Sequence, residues 1–220
     1  MLLQVKRESV EKEAGSGYVS KSGIYDLTLR HTEVKNTPNG AVQVNYLFDK
    51  CMSYGNTILG TQGQPTFGYK ILEALAATLG EESLSDAEPT TVTFKKGARE
   101  LNCVPELNDV SVKAWIQIGY KMYKGEIQES VTVKRFYRAA DGAAGSEVLS
   151  GEDIGERLAK DTAVASEIKY DIGVTPEAVE AWKKAQQGGG ASTPAATGGF
   201  NAPKASGFPT PGSGFPTPGA

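Results

Sequence analysis

Histidine is almost absent from this chain of 220 residues, since His31 is the only one. A serine triad, a Cys–His pair or a site with several histidine ligands would each have to use that single residue. His31 falls near the end of a predicted strand, where a structural role is the more common one. The scarcity of histidine favours a non-enzymatic protein that needs no metal and no cofactor. A small nuclease or hydrolase built around His31 is an alternative.

Cysteine and long apolar runs are scarce as well. Cys51 and Cys103 are too few for a disulfide framework or a zinc cluster, which suits a reduced, cytoplasmic setting. No apolar run approaches the roughly 20 residues that a membrane-spanning helix requires, and the N-terminus becomes charged too soon for a secretory signal. The glycine-rich segment 60–70 lacks the order Gly-x-x-x-x-Gly-Lys-Ser/Thr of a phosphate-binding loop. We therefore expect a cytoplasmic protein with no membrane partner.

Alternating apolar and polar residues in the first part of the chain predict three strands, at 24–34, 42–48 and 56–60. Asn39-Gly40, between the first two, is typical of a hairpin turn. The apolar period then lengthens to about four residues, which predicts a helix that Thr66 caps at its start and Gly80 ends. Short segments with β propensity follow this helix, at 90–95 and 101–104.

The order of three strands, one helix and further strands indicates a mainly-β protein with helical additions. It fits an OB-fold-like five-stranded barrel with a helix between strands 3 and 4. We expect this OB-fold-like domain to span residues 18–138, after a flexible lead-in at 1–17. Residues 188–220 repeat the segment SGFPTPG and hold nine glycines and six prolines, which is typical of a disordered tail.

A helical extension packed on the barrel is predicted between the barrel and the tail, at residues 139–187. Spaced apolar residues predict one helix at about 151–168. A second helix is expected to start at Thr175-Pro176, because threonine caps helices and proline fits their first turn, and to end near Lys184. Trp182 on this helix is expected to dock the extension onto the barrel.

The most informative stretch is 110–138, which predicts two long strands joined at Lys124-Gly125. One side of each strand is apolar and belongs to a core, with Val133 and Tyr137 on that side of the second strand. Strict alternation places a different set on the outer side of the first strand, namely Lys113, Trp115, Gln117, Gly119 and Lys121. On the second strand the outer set is Gln128, Ser130, Thr132, Lys134, Phe136 and Arg138.

This hairpin carries six lysines and arginines against two acids, in a chain whose net charge is −3. Cations beside exposed aromatic planes suit a single-stranded nucleic acid, whose phosphates need neutralising and whose bases stack on flat rings. We expect the bases to stack on Trp115, Phe136 and Tyr123. The rim of the groove is expected to carry Tyr54 and Lys50, and the phosphates to bind Lys113, Lys121, Lys124, Lys134 and Arg138. The alternative is an ordinary solvated strand face that discourages edge-to-edge pairing.

Three segments carry a resemblance to a known family: GIYDLTLRHTEVKNTPNGAVQVNYLF at 23–48, TFGYKILEALAATLG at 66–80 and VKAWIQIGYKMYKGEIQESVTVKRFYR at 112–138. Together they resemble the OB-fold single-stranded DNA-binding proteins that bacteriophages encode for their own replication. The resemblance implies a non-enzymatic protein that coats and protects single-stranded DNA without sequence preference. It implies a role in phage DNA replication or recombination, in the host cell cytoplasm, with Trp115 and Phe136 at the DNA.

The end of the chain departs from that family. Many family members finish in an acidic run that recruits replication proteins, whereas this sequence finishes GFPTPGSGFPTPGA. The repeated GFPTP units are therefore the expected contact with replication or recombination proteins. Homo-oligomerisation is open. The main rival interpretation is a non-enzymatic structural or assembly protein of a phage, whose β-domain and Phe-Pro tail bind other proteins.

Overall fold

One sheet of eight strands organises the part of the protein that the structure, a computed structural model, describes, residues 17–187. The mainly-β class predicted from the sequence is confirmed. The flexible lead-in predicted before residue 17 and the disordered tail predicted from residue 188 lie outside the described residues. In chain order the elements are β1 (Gly23–Asn36), β2 (Val42–Phe48), β3 (Met52–Leu59), α1 (Phe67–Leu79), β4 (Glu88–Phe94), β5 (Gly97–Cys103), a 3-10 turn (Pro105–Leu107), β6 (Val110–Tyr123), β7 (Glu126–Arg138), α2 (Gly145–Ser150), α3 (Glu156–Thr162), β8 (Lys169–Tyr170) and α4 (Pro176–Gln187).

Strand β1 is long enough to pair with two neighbours in succession. Its residues 29–36 pair antiparallel with β2, and its residues 23–29 pair antiparallel with β6. A register shift between Leu29 and His31 marks the change of partner, and such irregularities bend and twist a strand. The sheet therefore curls about β1, with β2 and β3 on one side and the β6–β7 hairpin on the other.

The curl brings β3 and β7 close to each other without joining them. Ser53 Oγ donates a hydrogen bond to the Val131 carbonyl at 2.8 Å. Within residues 17–187, no ladder of backbone hydrogen bonds pairs β3 with β7. The described sheet is therefore open and does not close into a barrel, whereas the sequence predicted a partly open, OB-fold-like barrel of five strands.

Three strands lie outside the five-stranded core of the prediction. The segments with β propensity at 90–95 and 101–104 belong to a separate hairpin, β4–β5, which meets β1 only at Glu33↔Cys103. Strand β8 has two residues and runs parallel to β6. These additions leave the curled part of the sheet, β1 to β3 with β6 and β7, as the part that resembles the prediction.

Strand β3 starts at Met52, earlier than predicted, because it contains a bulge. The register with β2 shifts between Val44 and Tyr46, so that two residues of β3, Tyr54 and Gly55, lie opposite one residue of β2. Gly55 has a φ of 72°, a conformation that glycine adopts without steric cost. The bulge turns Tyr54 toward solvent, with 59% of the residue exposed.

Helix α1 packs against β3 and β7 and contributes Leu75 to the main core. It begins and ends as predicted, since the Thr66 hydroxyl accepts a hydrogen bond from the Gly68 N–H at 3.2 Å and Gly80 ends the helix with a φ of 79°. A Cβ at Gly68 would lie 2.2 Å from the Thr57 carbonyl oxygen, so only glycine fits there. The first turn of α1 therefore contacts the backbone of β3 directly.

The predicted helix at about 151–168 is wrong. Only the short helix α3 lies within this range; α2 ends just before it, at Ser150, and the chain turns between the two helices at Gly151 and Gly155, whose φ values are 72° and 82°. Glycine in this left-handed conformation ends a helix. Helix α4 begins at Pro176, as predicted. On it, Trp182 packs edge-on against Tyr120 with 6.2 Å between ring centroids, in agreement with the predicted docking role.

The buried carboxylate of Glu147 holds α2 and α3 together. It accepts backbone N–H groups from Ala144 at 2.8 Å, Gly155 at 3.1 Å and Arg157 at 2.7 Å. Burial alone would raise the pKa of Glu147, but these hydrogen bonds outweigh burial and lower the pKa below its ordinary value. The charged form of Glu147 therefore stabilises the fold of this segment.

Candidate nucleic-acid interface

A bulge in β7 decides which side chains of the long hairpin face outward. Trp115 pairs with Arg135, whereas the next residue of β6, Ile116, pairs with Val133. Lys134 is therefore an extra residue on β7, so that Lys134 and Arg135 together lie opposite Trp115. Because side chains alternate along a strand, one extra residue exchanges the two faces for all the residues beyond it.

Phe136 lies on the inner side of the sheet, so its predicted role in base stacking is wrong. It is 0% exposed. Its ring packs edge-on against Tyr46, with 5.2 Å between centroids, and in a tilted arrangement against Phe48 at 6.2 Å. The prediction assumed strict alternation as far as Arg138, and the extra residue at Lys134 moves Phe136 into the core.

Trp115 keeps its predicted outward position but is half-buried. Its cross-strand neighbours are Ile24 of β1 and Arg135 of β7. The indole Nε1 is buried and has no hydrogen-bond partner within the described residues. Only part of the Trp115 ring is therefore open to a ligand, which makes it a weaker stacking platform than the sequence predicted.

The C-terminal segment covers the outer side of β7 beyond the bulge. Tyr137 lies there, contrary to the prediction that it faces the core with Val133, and its hydroxyl donates a hydrogen bond to Asp161 at 2.7 Å. The same carboxylate lies 2.9 Å from Arg135 Nε and 3.1 Å from Arg157 Nε. Burial and the hydrogen bond to Asp161 raise the pKa of Tyr137. This network takes the C-terminal end of β7 out of any ligand surface.

Two predicted phosphate ligands at the same end of the hairpin, Lys113 and Arg138, and the predicted rim residue Lys50 already have partners. Lys113 forms an ion pair with Asp26 of β1, and Lys50 Nζ lies 3.5 Å from the Asp26 carbonyl oxygen. Arg138 donates two hydrogen bonds to Asp141, at 2.6 Å and 3.0 Å, and this contact lowers the pKa of Asp141 to about 2. The charges of Lys113 and Arg138 are thus partly neutralised in the free protein, which weakens both as phosphate ligands.

A groove of about 500 Å³ opens on the outer side at the other end of the hairpin. Tyr54 from the β3 bulge and Lys121 from β6 line it together, so two of the predicted site residues meet although they are far apart in the sequence. Lys169 of β8 adds a second cation. The exposed ring and the cations therefore lie on the walls of one groove.

The floor of this groove is polar and mostly uncharged. Gly119 leaves space in the groove, because it has no side chain and a Cβ at this position would lie only 3.0 Å from Ser130 Oγ. Two acids also line the groove, and both have partners: Glu129 accepts a hydrogen bond from the Tyr120 hydroxyl at 2.7 Å, and Asp171 lies 3.5 Å from Lys169 Nζ. The uncharged polar residues that line the groove include Gln117, Gln128 and Thr132.

The turn of the hairpin presents a second aromatic residue beside cations. Lys124 and Gly125 have φ values of 53° and 84°, which are the positive angles that the predicted two-residue turn requires. Tyr123 is 50% exposed, and Lys124 Nζ lies 5.4 Å from its ring centroid, within cation–π distance. Tyr123 and Lys121 are two residues apart on β6, so their side chains leave the strand on the same side.

Three hairpin cations, Lys121, Lys124 and Lys134, differ from those at the base of the hairpin and from Lys169, which is paired with Asp171, because no acid of the described residues engages them. Within residues 17–187, no ion pair involves Lys121, Lys124 or Lys134. Lys134 lies at the bulge, between the groove and the covered end of β7. The predicted site residues therefore divide into an engaged group at the base and a free group toward the tip.

The groups required for other chemistry are dispersed. His31 Nδ1 lies 3.1 Å from Asn108 Oδ1, so the histidine contacts an amide rather than a carboxylate. Burial and the charge of Asp49 raise the pKa of the Cys51 thiol to about 12. In the described part of the chain, no three histidine, cysteine or acidic side chains are grouped so that they could hold a metal. No helix of residues 17–187 is long and apolar enough to span a membrane.

The groove includes residues that the sequence did not reveal, among them Lys169 and Asn56. Lys169 belongs to a strand of two residues, which is too short to show any period. Asn56 lines the groove next to the β3 bulge, and its amide donates a hydrogen bond to the Val44 carbonyl at 3.2 Å. Neither residue carries a local sequence signal, because the pairing of distant segments places both.

Comparison with known proteins found no relative: no protein-family model matches the chain, and a search of curated proteins finds no match. The resemblance to phage single-stranded DNA-binding proteins thus depends on the three sequence segments alone, and the function has to be argued from the groove.

Proposed function

We propose that this protein binds single-stranded DNA without sequence preference and without catalysing a reaction, and that the DNA occupies the groove beside Tyr54 and Lys121. One observation carries the proposal: a single open groove combines an exposed tyrosine ring, two lysines and several uncharged polar side chains, and its two acids, Glu129 and Asp171, already have partners. Any base can stack on such a ring, and lysines neutralise the phosphates between bases. A duplex keeps its bases inside its own stack and offers none to the tyrosine.

The expected energies are moderate for each contact and add up along the groove and the adjoining hairpin. Stacking on Tyr54 and on Tyr123 contributes about 1–3 kcal/mol for each base. Lys121, Lys124 and Lys134 supply charges that no acid of the described residues engages. The logarithm of the affinity then falls with the logarithm of the salt concentration by roughly 0.7 for each phosphate contact, a slope of about 2 for three lysines.

We also propose that residues 18–138 form an OB-fold-like domain. Three features support this interpretation: β1 pairs with both β2 and β6, α1 follows the third strand, and the edges of β3 and β7 approach each other at Ser53. In that arrangement the β4–β5 hairpin is an insertion before the fourth strand. OB-folds bind oligonucleotides on a strand face and its adjoining loops, which is the kind of surface on which the groove lies.

The biological role that fits this binding mode is to coat and protect single-stranded DNA during phage DNA replication or recombination, in the cytoplasm of the host cell. Replication or recombination proteins are the expected partners. A protein that stacks bases without reading their edges binds any sequence that is exposed at a replication fork.

A structural or assembly role is the second candidate, because five large apolar side chains of the C-terminal segment are exposed, two of them almost completely. Leu149 on α2 is 79% exposed, and Ile172, after β8, is fully exposed. Exposed apolar side chains of this kind can bind another protein. This role predicts negligible affinity for single-stranded DNA at ordinary salt.

Fluorescence anisotropy separates the two candidates. We expect a labelled dT oligonucleotide to bind more tightly than a duplex of equal length, and its affinity to fall by about 20-fold between 50 and 200 mM salt if three phosphates are contacted. Failure of the wild-type protein to bind the single strand at the lower salt would overturn the proposed function and favour the assembly role.

Paired variants test the location of the site. Tyr54→Ala should weaken binding by about 5- to 150-fold, which is the loss of one stacked base. Lys121→Ala should lower the salt slope by about 0.7. Matched controls are Phe67→Ala and Lys70→Ala, since both residues are exposed on α1 and outside the groove. If Tyr54→Ala and Lys121→Ala bind like their controls, the DNA does not occupy this groove.

A further inference from the structure

The β4–β5 hairpin, residues 88–103, forms a basic arm beside the groove. Its turn region carries three exposed cations within five residues, Lys95, Lys96 and Arg99. The two strands of the arm pair with each other from Glu88↔Cys103 to Phe94↔Gly97, whereas β5 meets β1 only next to Cys103. The end of the arm near its turn is therefore held by the backbone hydrogen bonds between β4 and β5 and by the packing of one face of the arm.

That side packs on the outer surface of β2. Val92 and Cys103 are buried together with Leu47, and Phe94 and Leu101 pack against them. The neighbours of Leu47 on both sides, at positions 46 and 48, belong to the main core. Since side chains alternate along a strand, Leu47 faces the opposite, outer side. The basic arm thus lies over the same side of the sheet as the groove.

A short chain of contacts connects the arm with Tyr54 at the wall of the groove. Leu47 pairs with Met52 on β3, and the Tyr54 hydroxyl lies 2.7 Å from Met52 Sδ. Burial and the charge of Glu33 raise the pKa of Tyr54, and the positive charge of Arg99 opposes both. The ring that walls the groove is therefore also a near neighbour of the basic arm.

The cations of the arm are positioned and available. The Arg99 guanidinium lies 5.7 Å from the Phe94 ring centroid, a cation–π contact that holds the long side chain in place. Within residues 17–187, no ion pair involves Lys95, Lys96 or Arg99. By contrast, the exposed residues of this turn include no aromatic ring on which a base could stack.

We propose that the basic arm is a second phosphate-binding element, which extends the path of single-stranded DNA from the groove past Tyr54 and onto Lys95, Lys96 and Arg99. This inference rests on the proposed function. Single-stranded DNA that leaves the groove beside Tyr54 meets three cations that form no ion pair within residues 17–187. It meets no exposed aromatic ring there. This part of the site therefore contacts the DNA backbone and not the bases. The arm adds affinity and salt dependence for long strands and leaves sequence preference unchanged.

The test compares K95A/K96A with the wild-type full-length protein on dT oligonucleotides of increasing length. On long strands the variant should lose about 1.4 from the salt slope, which corresponds to two phosphate contacts. On strands short enough to fill only the groove, the two proteins should bind alike. The matched control K70A/K184A removes the same charge from exposed positions on α1 and α4, and K95R/K96R keeps the charge; both should retain the wild-type slope.

The outcomes separate the two proposals. If the wild-type protein binds single-stranded DNA and K95A/K96A keeps the wild-type salt slope on long oligonucleotides, the proposed role of the arm is wrong and the proposed function stands. A wild-type protein that does not bind single-stranded DNA would overturn the proposed function and the arm with it. Equal thermal midpoints for K95A/K96A and the wild type exclude unfolding of the arm's neighbours as the cause of a lost slope.

Discussion

Replacement of Phe136 by alanine should destabilise the protein strongly, although the sequence places this residue among the DNA ligands. The ring is 0% exposed and packs between Tyr46 and Phe48. Truncation of a buried phenylalanine costs about 3–5 kcal/mol, because apolar surface loses its partners and a cavity is left behind. Since folded domains are stable by only about 5–15 kcal/mol, one substitution would remove a large share of the total.

Urea unfolding, followed by the fluorescence of Trp115 and Trp182, measures this loss. With a slope of about 2 kcal/mol per molar urea, the midpoint of Phe136→Ala should fall by about 1.5–2.5 M. Tyr54→Ala is the matched control, because this residue is 59% exposed, and surface substitutions usually change stability by about 0.5 kcal/mol or less. Phe136→Leu refills most of the cavity and should retain both the fold and the affinity for DNA.

The opposite pattern would refute the reasoning about the bulge. If Phe136→Ala unfolds within about 0.3 M of the wild-type midpoint and loses affinity for single-stranded DNA, the ring faces outward. In that case Lys134 is not an extra residue, and β7 alternates without interruption as far as Arg138. The two outcomes differ in both stability and binding, so neither measurement has to be interpreted alone.

Three further predictions follow from buried or engaged polar groups. The Tyr46 hydroxyl is buried without a partner among the described residues, so Tyr46→Phe should leave the thermal midpoint unchanged or raise it, and a clear fall would reveal a partner. Glu147→Gln should lower the free energy of unfolding by about 1–3 kcal/mol at pH 7. Because the folded-state pKa of Glu147 is lowered, its contribution is present above the unfolded pKa and lost as the pH falls through the folded pKa; urea midpoints from pH 7 downward should converge for variant and wild type. Asp26→Asn releases Lys113 and should raise the salt slope of DNA binding by about 0.7, whereas an unchanged slope would exclude Lys113 from the site.

Local signals in the sequence predicted those parts of the fold that local geometry determines. Thr66 and Gly80 mark the ends of α1 because a cap side chain and a left-handed residue act within one turn of the helix. Lys124-Gly125 marks the hairpin turn for the same reason. The mainly-β class follows from alternation over many residues, which a single irregularity does not hide.

The bulges and the engaged charges could not be predicted, because each depends on residues that are distant in the sequence. Whether Lys134 is an extra residue is decided by the register of β7 against β6, and nothing in the local pattern of β7 shows it. The Lys113–Asp26 pair joins positions 87 residues apart. The turn at Gly155, inside the helix predicted at about 151–168, was visible as a glycine, but the apolar spacing of the region favoured one continuous helix.

The distribution of charge on the long hairpin is therefore set by acids that lie outside it. Asp26, Asp141 and Asp161 bind the cations at its base, and they come from β1, from the loop after β7 and from α3. The hairpin cations that form no ion pair within residues 17–187 are consequently Lys121, Lys124 and Lys134, and the first two lie toward the tip, beside Tyr123 and the groove that Tyr54 lines. The two acids of the hairpin, Glu126 and Glu129, lie at the same end. A polyanion is attracted to the cations that have no other partner. The same acids that fold the C-terminal segment onto the hairpin thus restrict the candidate DNA surface to its free end.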